Sequence, residues 1–318
     1  MLSRIAESLY WIGRYVERAE DTARILDIHR QLMLREPWTD EDRACRSLLS
    51  VMGAALPDGS PATLPGVVER LGLDVTSPGS VMGALSAARE NARGARETIP
   101  ADMWETLNTT WHGLATARQR IDQRGLVAFF RWVRERCSVL AGVADATMSR
   151  DEGWLFLVLG RSVERVDMTA RLLSTHTSAG GTIPSWLTLL RACGAWETYL
   201  RTYRGAFSDR GAAEFLLLDR LFPRSVLSAL MAAEGCLTEL EATLRTGRTA
   251  RVGSATDAQR LIGRARTDLA YRSPEELIAD LGPVLERLER TCSQVNDAVS
   301  VRYFRQTAAV AWQAELVA

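Results

Sequence analysis

The chain has 318 residues, 47% of them apolar, 25% charged and 7% aromatic, a composition that supports one large or two small buried cores. Acidic and basic residues balance at 39 each, so no net field draws the protein to nucleic acid or to an anionic membrane, and neither is expected as a partner. Every basic residue is Arg. The absence of Lys excludes Schiff-base catalysis, a pyridoxal-phosphate anchor and the lysine-bearing phosphate loop.

The cysteines, Cys45, Cys137, Cys193, Cys236 and Cys292, are widely spaced and odd in number. That pattern suits a reducing compartment and predicts neither disulfides nor a cysteine-zinc site. The opening MLSRIAESLYWIGRYVERAE carries charges through what would have to be the apolar core of a signal peptide. The longest uncharged run, Leu172 to Leu190, contains Gly180-Gly181 and Pro184 and is unfit to span a bilayer as a helix. A cytoplasmic protein is expected.

Apolar residues recur at helical spacing along nearly the whole chain, with no convincing period-2 alternation, which predicts an all-α fold. In chain order, breaks are expected at Pro37, Leu56-Pro57 to Gly66, Ser77-Pro78-Gly79, Pro100, Gly125, Gly153, Gly180 to Pro184, Gly211, Pro223, Gly247 to Gly253 and Ser273-Pro274. At typical helix lengths this leaves about ten to twelve helices. Hydroxyl N-caps are expected at Ser77, Ser185 and Ser273, with Pro at N1 after the first and the last.

The most informative feature is internal. GRYVERAEDTARILDIH, from Gly13 to His29, aligns without a gap on GRSVERVDMTARLLSTH, from Gly160 to His176, with ten of seventeen positions identical. PGSVMGALSAARE from Pro78 then matches PRSVLSALMAAEG from Pro223, and VADATMSR from Val143 matches VNDAVSVR from Val295. Three matches in the same order predict a tandem duplication, with one unit over about 1–150 and the second over about 151–318. No polar linker separates them, so a single compact helical bundle with pseudo-two-fold symmetry is expected over 1–318.

At about 100° per residue, Ile5, Ile12, Val16, Ala19, Ala23 and Leu26 form the apolar face of the first helix. Gly13, Glu17, Glu20 and Arg24 run along one edge, and Arg14, Arg18, Thr22 and His29 along the far side. Tyr10 and Trp11 also lie away from the apolar face, so that side should be covered. The second copy is apolar nearly all round and should be buried. Its charges then need partners, because an unpaired buried charge costs several kcal/mol, on the order of 3–5. Arg14, Glu17, Arg18, Glu20 and Arg24 recur as Arg161, Glu164, Arg165, Asp167 and Arg171, and His29 recurs as His176.

Two readings of this set stand side by side. In one, Glu20 pairs with Arg24 and Asp167 with Arg171 at i,i+4 while the others bridge helices as structure. In the other, the set lines a charged seam that binds an anionic or peptidic ligand. Burial and the residues beside each helix assign Arg161 to structure and Arg14 to binding. A metal is not expected. The Glu-x-x-His spacing of di-metal bundles is missing, and the interleaved arginines repel a cation.

A second dense segment runs from Ala88 to Asn108. Arg89, Arg93 and Arg96 are expected along one helix with Glu90 and Glu97 beside them, and Trp104, Glu105 and Asn108 on one face of the next. The matching stretch around Met231 lacks this set, so it is a candidate specialised surface of the first half. There is no HExxH, no GxSxG, no glycine-rich dinucleotide loop and no Cys-His pair close in sequence, and no cofactor is expected.

The segments LSRIAESLYWIGRYVERAEDTARILD, LGRSVERVDMTARLL, ARENARGARETI with WETLN, and FPRSV together resemble the alpha-E domain family of bacterial proteins over nearly the whole chain. Members of that family are helical and occur beside, or fused to, ATP-grasp proteins resembling peptide ligases, and beside transglutaminase-like proteins. The resemblance implies a helical partner of an ATP-grasp peptide ligase that binds a peptide, a carboxylate or the partner protein. An independent enzyme with Glu17 or Glu164 as a general base raised in pKa by burial, and a purely structural scaffold, are the competing expectations.

Overall fold

A computed structural model describes residues 1–35, 40–54, 56, 59–177, 184–244 and 255–304. Along these run α1 (Ser3–Arg35), α2 (Glu41–Val51), α3 (Leu64–Val68), a π-helical turn (Glu69–Leu73), α4 (Val81–Gly94), α5 (Ala101–Gln119) and α6 (Ile121–Thr147). There follow α7 (Glu152–Thr177), α8 (Trp186–Ala192), α9 (Trp196–Thr202), α10 (Asp209–Leu218), α11 (Val226–Leu244), α12 (Asp257–Ala270), α13 (Pro274–Ala279), α14 (Leu281–Val299) and a second π-helical turn (Ser300–Phe304). The described residues contain no strand, and the fold is all-α. Fourteen α-helices exceed the expected number because α3, α8, α9 and α13, of five to seven residues each, are too short to show a period.

Local chemistry sets the helix starts. Ser185 accepts from Thr188 N and Ser273 from Glu276 N, the latter in a full capping box with Pro274 at N1 or N2. The cap of α4 is Ser80 rather than Ser77. Ser77-Pro78-Gly79 instead completes the preceding turn, where Ser77 Oγ accepts from Gly79 N. Gly125, at φ 76°, kinks α6. Gly153 and Gly211 fall inside the first turns of α7 and α10 and break nothing. Pro37, Pro57, Gly180-Gly181 and 247–253 lie outside the described residues.

The centre is the crossing of α1 on α7. A Cβ on Gly13 would lie 2.1 Å from Leu157 O, and one on Gly160 would lie 2.0 Å from Tyr10 O, so each backbone rests directly on the other. The offset of 147 residues that relates Gly13 to Gly160 also relates Tyr10 to Leu157. Around this crossing α4 and α6 pack on α1 with α5 against both, while α11 and α14 pack on α7 with α12 against both. The short helices reach across, α2 onto α7 and α8 onto α1. Leu9, Tyr10, Leu26, Leu159, Val163 and Leu173 are fully buried there, and this apolar burial is the main stabilising contribution. No described helix is long and apolar enough to cross a membrane, and all five cysteines are free and buried.

Candidate functional site

Tight contact at the two glycines brings the charged edges of α1 and α7 within reach of each other. Glu164, 0% exposed, accepts from Arg14 Nε at 2.5 Å and from Arg18 Nε at 2.5 Å. Glu17, 3% exposed, accepts from Arg165 Nε at 2.7 Å and from Arg224 Nη1 at 2.8 Å. Arg18 further donates to Pro78 O and Arg165 to Pro223 O. Glu20 pairs with Arg24 at 2.6 Å and Asp167 with Arg171 at 3.1 Å, both at i,i+4. The carboxylates are therefore engaged by guanidinium groups, which is the donor set of an ion-pair network and a poor one for a metal.

Electrostatics separates these acids. Burial alone would raise Glu17, but Arg165 and Arg224 overcome it and hold the carboxyl down at about 2. Glu164 is likewise lowered against its burial by Arg14 and Arg18. This overturns the expectation of a raised carboxyl at either position. Burial raises the neighbouring Asp21 to about 7, with Arg224 opposing and Glu17 and Glu20 adding to the rise. The geometry gives the cause: Arg224 is shared by Glu17, Glu20 and Asp21, and Asp21 Oδ2 has no hydrogen-bond partner among the described residues. Asp21 has the smallest share of positive charge, so it is the one that takes the proton.

The two sides of the crossing are not equivalent. Arg14 is buried and held by Glu164 and by Asn296 Oδ1 at 3.0 Å. Its match, Arg161, makes no ion pair or hydrogen bond among the described residues, and its guanidinium stands 5.9 Å from the Trp154 ring centre. Of the two, Arg14 is thus the one tied into the network and Arg161 the one left outside it among the described residues. Arg161 instead lines a cleft of about 350 Å³ between α1, α5, α6 and α7. Glu17, Glu20, Arg24, Arg161, Arg165 and Arg224 supply its charges, and Ile12, Val16, Met103, Leu140, Ala144 and Leu157 its apolar wall. Burial and the adjacent Arg165 both lower Arg161's pKa.

Other expected residues lie elsewhere. His29 Nε2 stands 3.7 Å from Cys45 Sγ between α1 and α2. Burial lowers this histidine to about 4 and raises the thiol to about 11, so the pair is neutral and the thiol is not activated. His176 donates through Nδ1 to Pro184 O and lies against Trp186. In the second segment Arg89 lies 4.5 Å from the Trp111 ring centre and 5.6 Å from that of Trp104, and donates to Asn108 Oδ1. Arg93 pairs with Glu90, and Glu97 and Glu105 are exposed. Arg96 is past the end of α4, over Trp104, because the helix stops at Gly94. None of Arg93, Arg96, Glu97, Trp104, Glu105 and Asn108 lines the cleft.

Sequence reasoning missed Arg224, Asp21 and Asn296. A signal existed for two of them: in the aligned matches Arg224 stands opposite Gly79 and Asn296 opposite Ala144.

Comparison with known proteins fits this picture. A model of the Alpha-E family, described as a predicted alpha-helical domain with a conserved ER motif, matches residues 1–304. Of the Glu-Arg dipeptides in this chain, Glu17-Arg18 and Glu164-Arg165 exchange partners across α1 and α7, Arg18 bonding Glu164 and Arg165 bonding Glu17. An uncharacterised protein of Mycobacterium bovis is 27% identical over 301 residues, covering 86% of this chain and 33% of the relative. Uncharacterised proteins of two Mycobacterium tuberculosis strains match at 27% and 26% over 301 residues. The chain spans about a third of the length of these curated relatives. No solved structure matches. With the match running from the first residue through the last described helix, the chain belongs to the Alpha-E family.

Proposed function

We propose that this chain is a helical partner of an ATP-grasp-type peptide ligase, and that its Arg-lined cleft holds a peptide, a carboxylate or a segment of the ligase. The observation that carries this reading is Arg161, a half-buried cation that makes no ion pair or hydrogen bond among the described residues, lining a cleft of about 350 Å³. That volume is at the small end of the range for ligand pockets, about 300–1,000 Å³. The link to a ligase rests on the family resemblance. A purely structural network explains Arg161 poorly, since a scaffold gains little from a half-buried guanidinium whose N–H donors have no hydrogen-bond partner among the described residues. General-base catalysis draws no support from Glu17, which at about 2 is a weak base at neutral pH. The matched contacts at the crossing support the proposal that the two halves arose by duplication.

Affinity capture from the native cell tests the function. The ATP-grasp ligase should co-purify with the wild-type chain and be lost with Arg161→Gln, while the melting temperature stays within about a degree because no ion pair is given up. Capture without a ligase, or undiminished by the substitution, refutes the proposal.

A further inference from the structure

We infer that the Arg161 cleft is a seat for a carboxylate carried on a compact apolar or aromatic body. This rests on the cleft being a binding site, as proposed above, and adds the class of its occupant.

The chain supplies its own template. On the opposite side of the crossing, Arg14 Nη1 donates to Asn296 Oδ1 at 3.0 Å, and Tyr10 OH donates to the same oxygen at 3.2 Å. The Tyr10 ring is fully buried, with the Phe304 ring packed 5.5 Å away. An oxygen acceptor and an aromatic body thus fill the place in front of Arg14.

Three sequence differences empty the matching place in front of Arg161. Leu157 stands where Tyr10 does, removing a ring and a hydroxyl. Ala144 stands where Asn296 does, removing the acceptor. Arg224 stands where Gly79 does and brings its own guanidinium to Glu17, which takes away the need for Arg161 there. Arg161 keeps its N–H donors, the ring-sized space is vacated, and Leu157 and Ala144 line the cleft.

Charge selects the acceptor. The guanidinium groups of Arg24, Arg161, Arg165 and Arg224 face the carboxyls of Glu17, Glu20 and Asp21, one cation in excess before Asp21 takes a proton. An amine is repelled, and the acids that could bind one are already engaged. A carboxylate offers two coplanar oxygens to the planar guanidinium fork.

Titration calorimetry with N-acetylphenylalanine and with its C-terminal amide tests this on the full chain. The acid should bind at least about tenfold more tightly than the amide, the size expected for a charge-assisted hydrogen bond. Arg161→Gln should abolish that preference. Ala144→Asn, which restores the acceptor seen at Asn296, should block binding of the acid. If this second variant fails to fold, Arg161→Gln decides alone, because it breaks no ion pair. Equal binding of acid and amide overturns the carboxylate assignment and leaves the cleft as a binding site. Binding of neither to the folded wild-type chain overturns the carboxylate seat, while the ligase partnership stands or falls on the capture experiment.

Discussion

Replacing Gly13 with Ala adds one methyl group where no space exists. The new Cβ would stand 2.1 Å from Leu157 O and 2.8 Å from Arg161 N, both backbone atoms and both well inside the 3.4 Å at which ordinary contact begins. Neither atom belongs to a side chain that can turn away, so α1 and α7 must part. Overpacking of this kind costs about 1–3 kcal/mol and sometimes more, and an unyielding backbone places this case at the top of that range. Parting the helices also stretches the bonds from Arg165 to Glu17 and from Arg18 to Glu164. Against this, Ala is the better helix former by about 1 kcal/mol. The net expectation is a loss of about 2–4 kcal/mol, read from the urea midpoint. Gly142→Ala is the control, since a Cβ there meets nothing within 4 Å and should stabilise by up to about 1 kcal/mol. Gly160→Ala should behave as Gly13→Ala does, and the double variant should lose less than the sum because the first clash has already opened the crossing. A Gly13→Ala protein as stable as the wild type, with Gly142→Ala shifted as expected, would refute the close crossing.

Glu164→Gln keeps the shape of the side chain but leaves Arg14 and Arg18 without their anion. A loss of about 3 kcal/mol is expected, against less than about 0.5 kcal/mol for Glu90→Gln at an exposed pair; equal losses in urea titrations would contradict the buried brace. Asp21, raised from 3.8 to about 7, binds its proton more tightly in the folded chain. Its favourable contribution is thus complete below pH ~4 and lost as pH rises through ~7, by roughly 2–4 kcal/mol. Asp21→Asn removes that loss, so its stability relative to wild type should improve from pH 5 to pH 8. A relative stability that falls over that interval would show that the carboxyl is not raised.

The helical class and the charged repeat were legible because both are periodic and local. Glu20 with Arg24 and Asp167 with Arg171 follow from i,i+4 spacing alone. The bridges from Arg18 to Glu164 and from Arg165 to Glu17 were legible only as a need for partners, since the repeat does not say which helix provides them. The roles of Arg14 and Arg161 could not be read from their own helices. They are decided by Asn296 on α14 and by Arg224 in the turn before α11, residues more than sixty positions away. Ser80 was passed over as a cap because Ser77-Pro78 offers the same signal three residues earlier. His29 met Cys45 through the packing of α2, which no motif encodes.

The exchange of partners across α1 and α7 also fixes an order of events during synthesis. When α1 leaves the ribosome, Glu17 has no counter-ion, and its two arginines lie about 150 and 200 residues downstream. Glu17 cannot be buried without them except at a cost of several kcal/mol, on the order of 3–5. The first half must therefore wait, with the Gly13 face of α1 uncovered, until α7 with Arg165 has emerged. Such a nascent chain presents apolar helix surface for the time needed to translate roughly 150 residues, about 8–30 s at 5–20 residues per second. Pulse-labelled chains stalled shortly before α7 should be far more susceptible to protease than chains stalled after it.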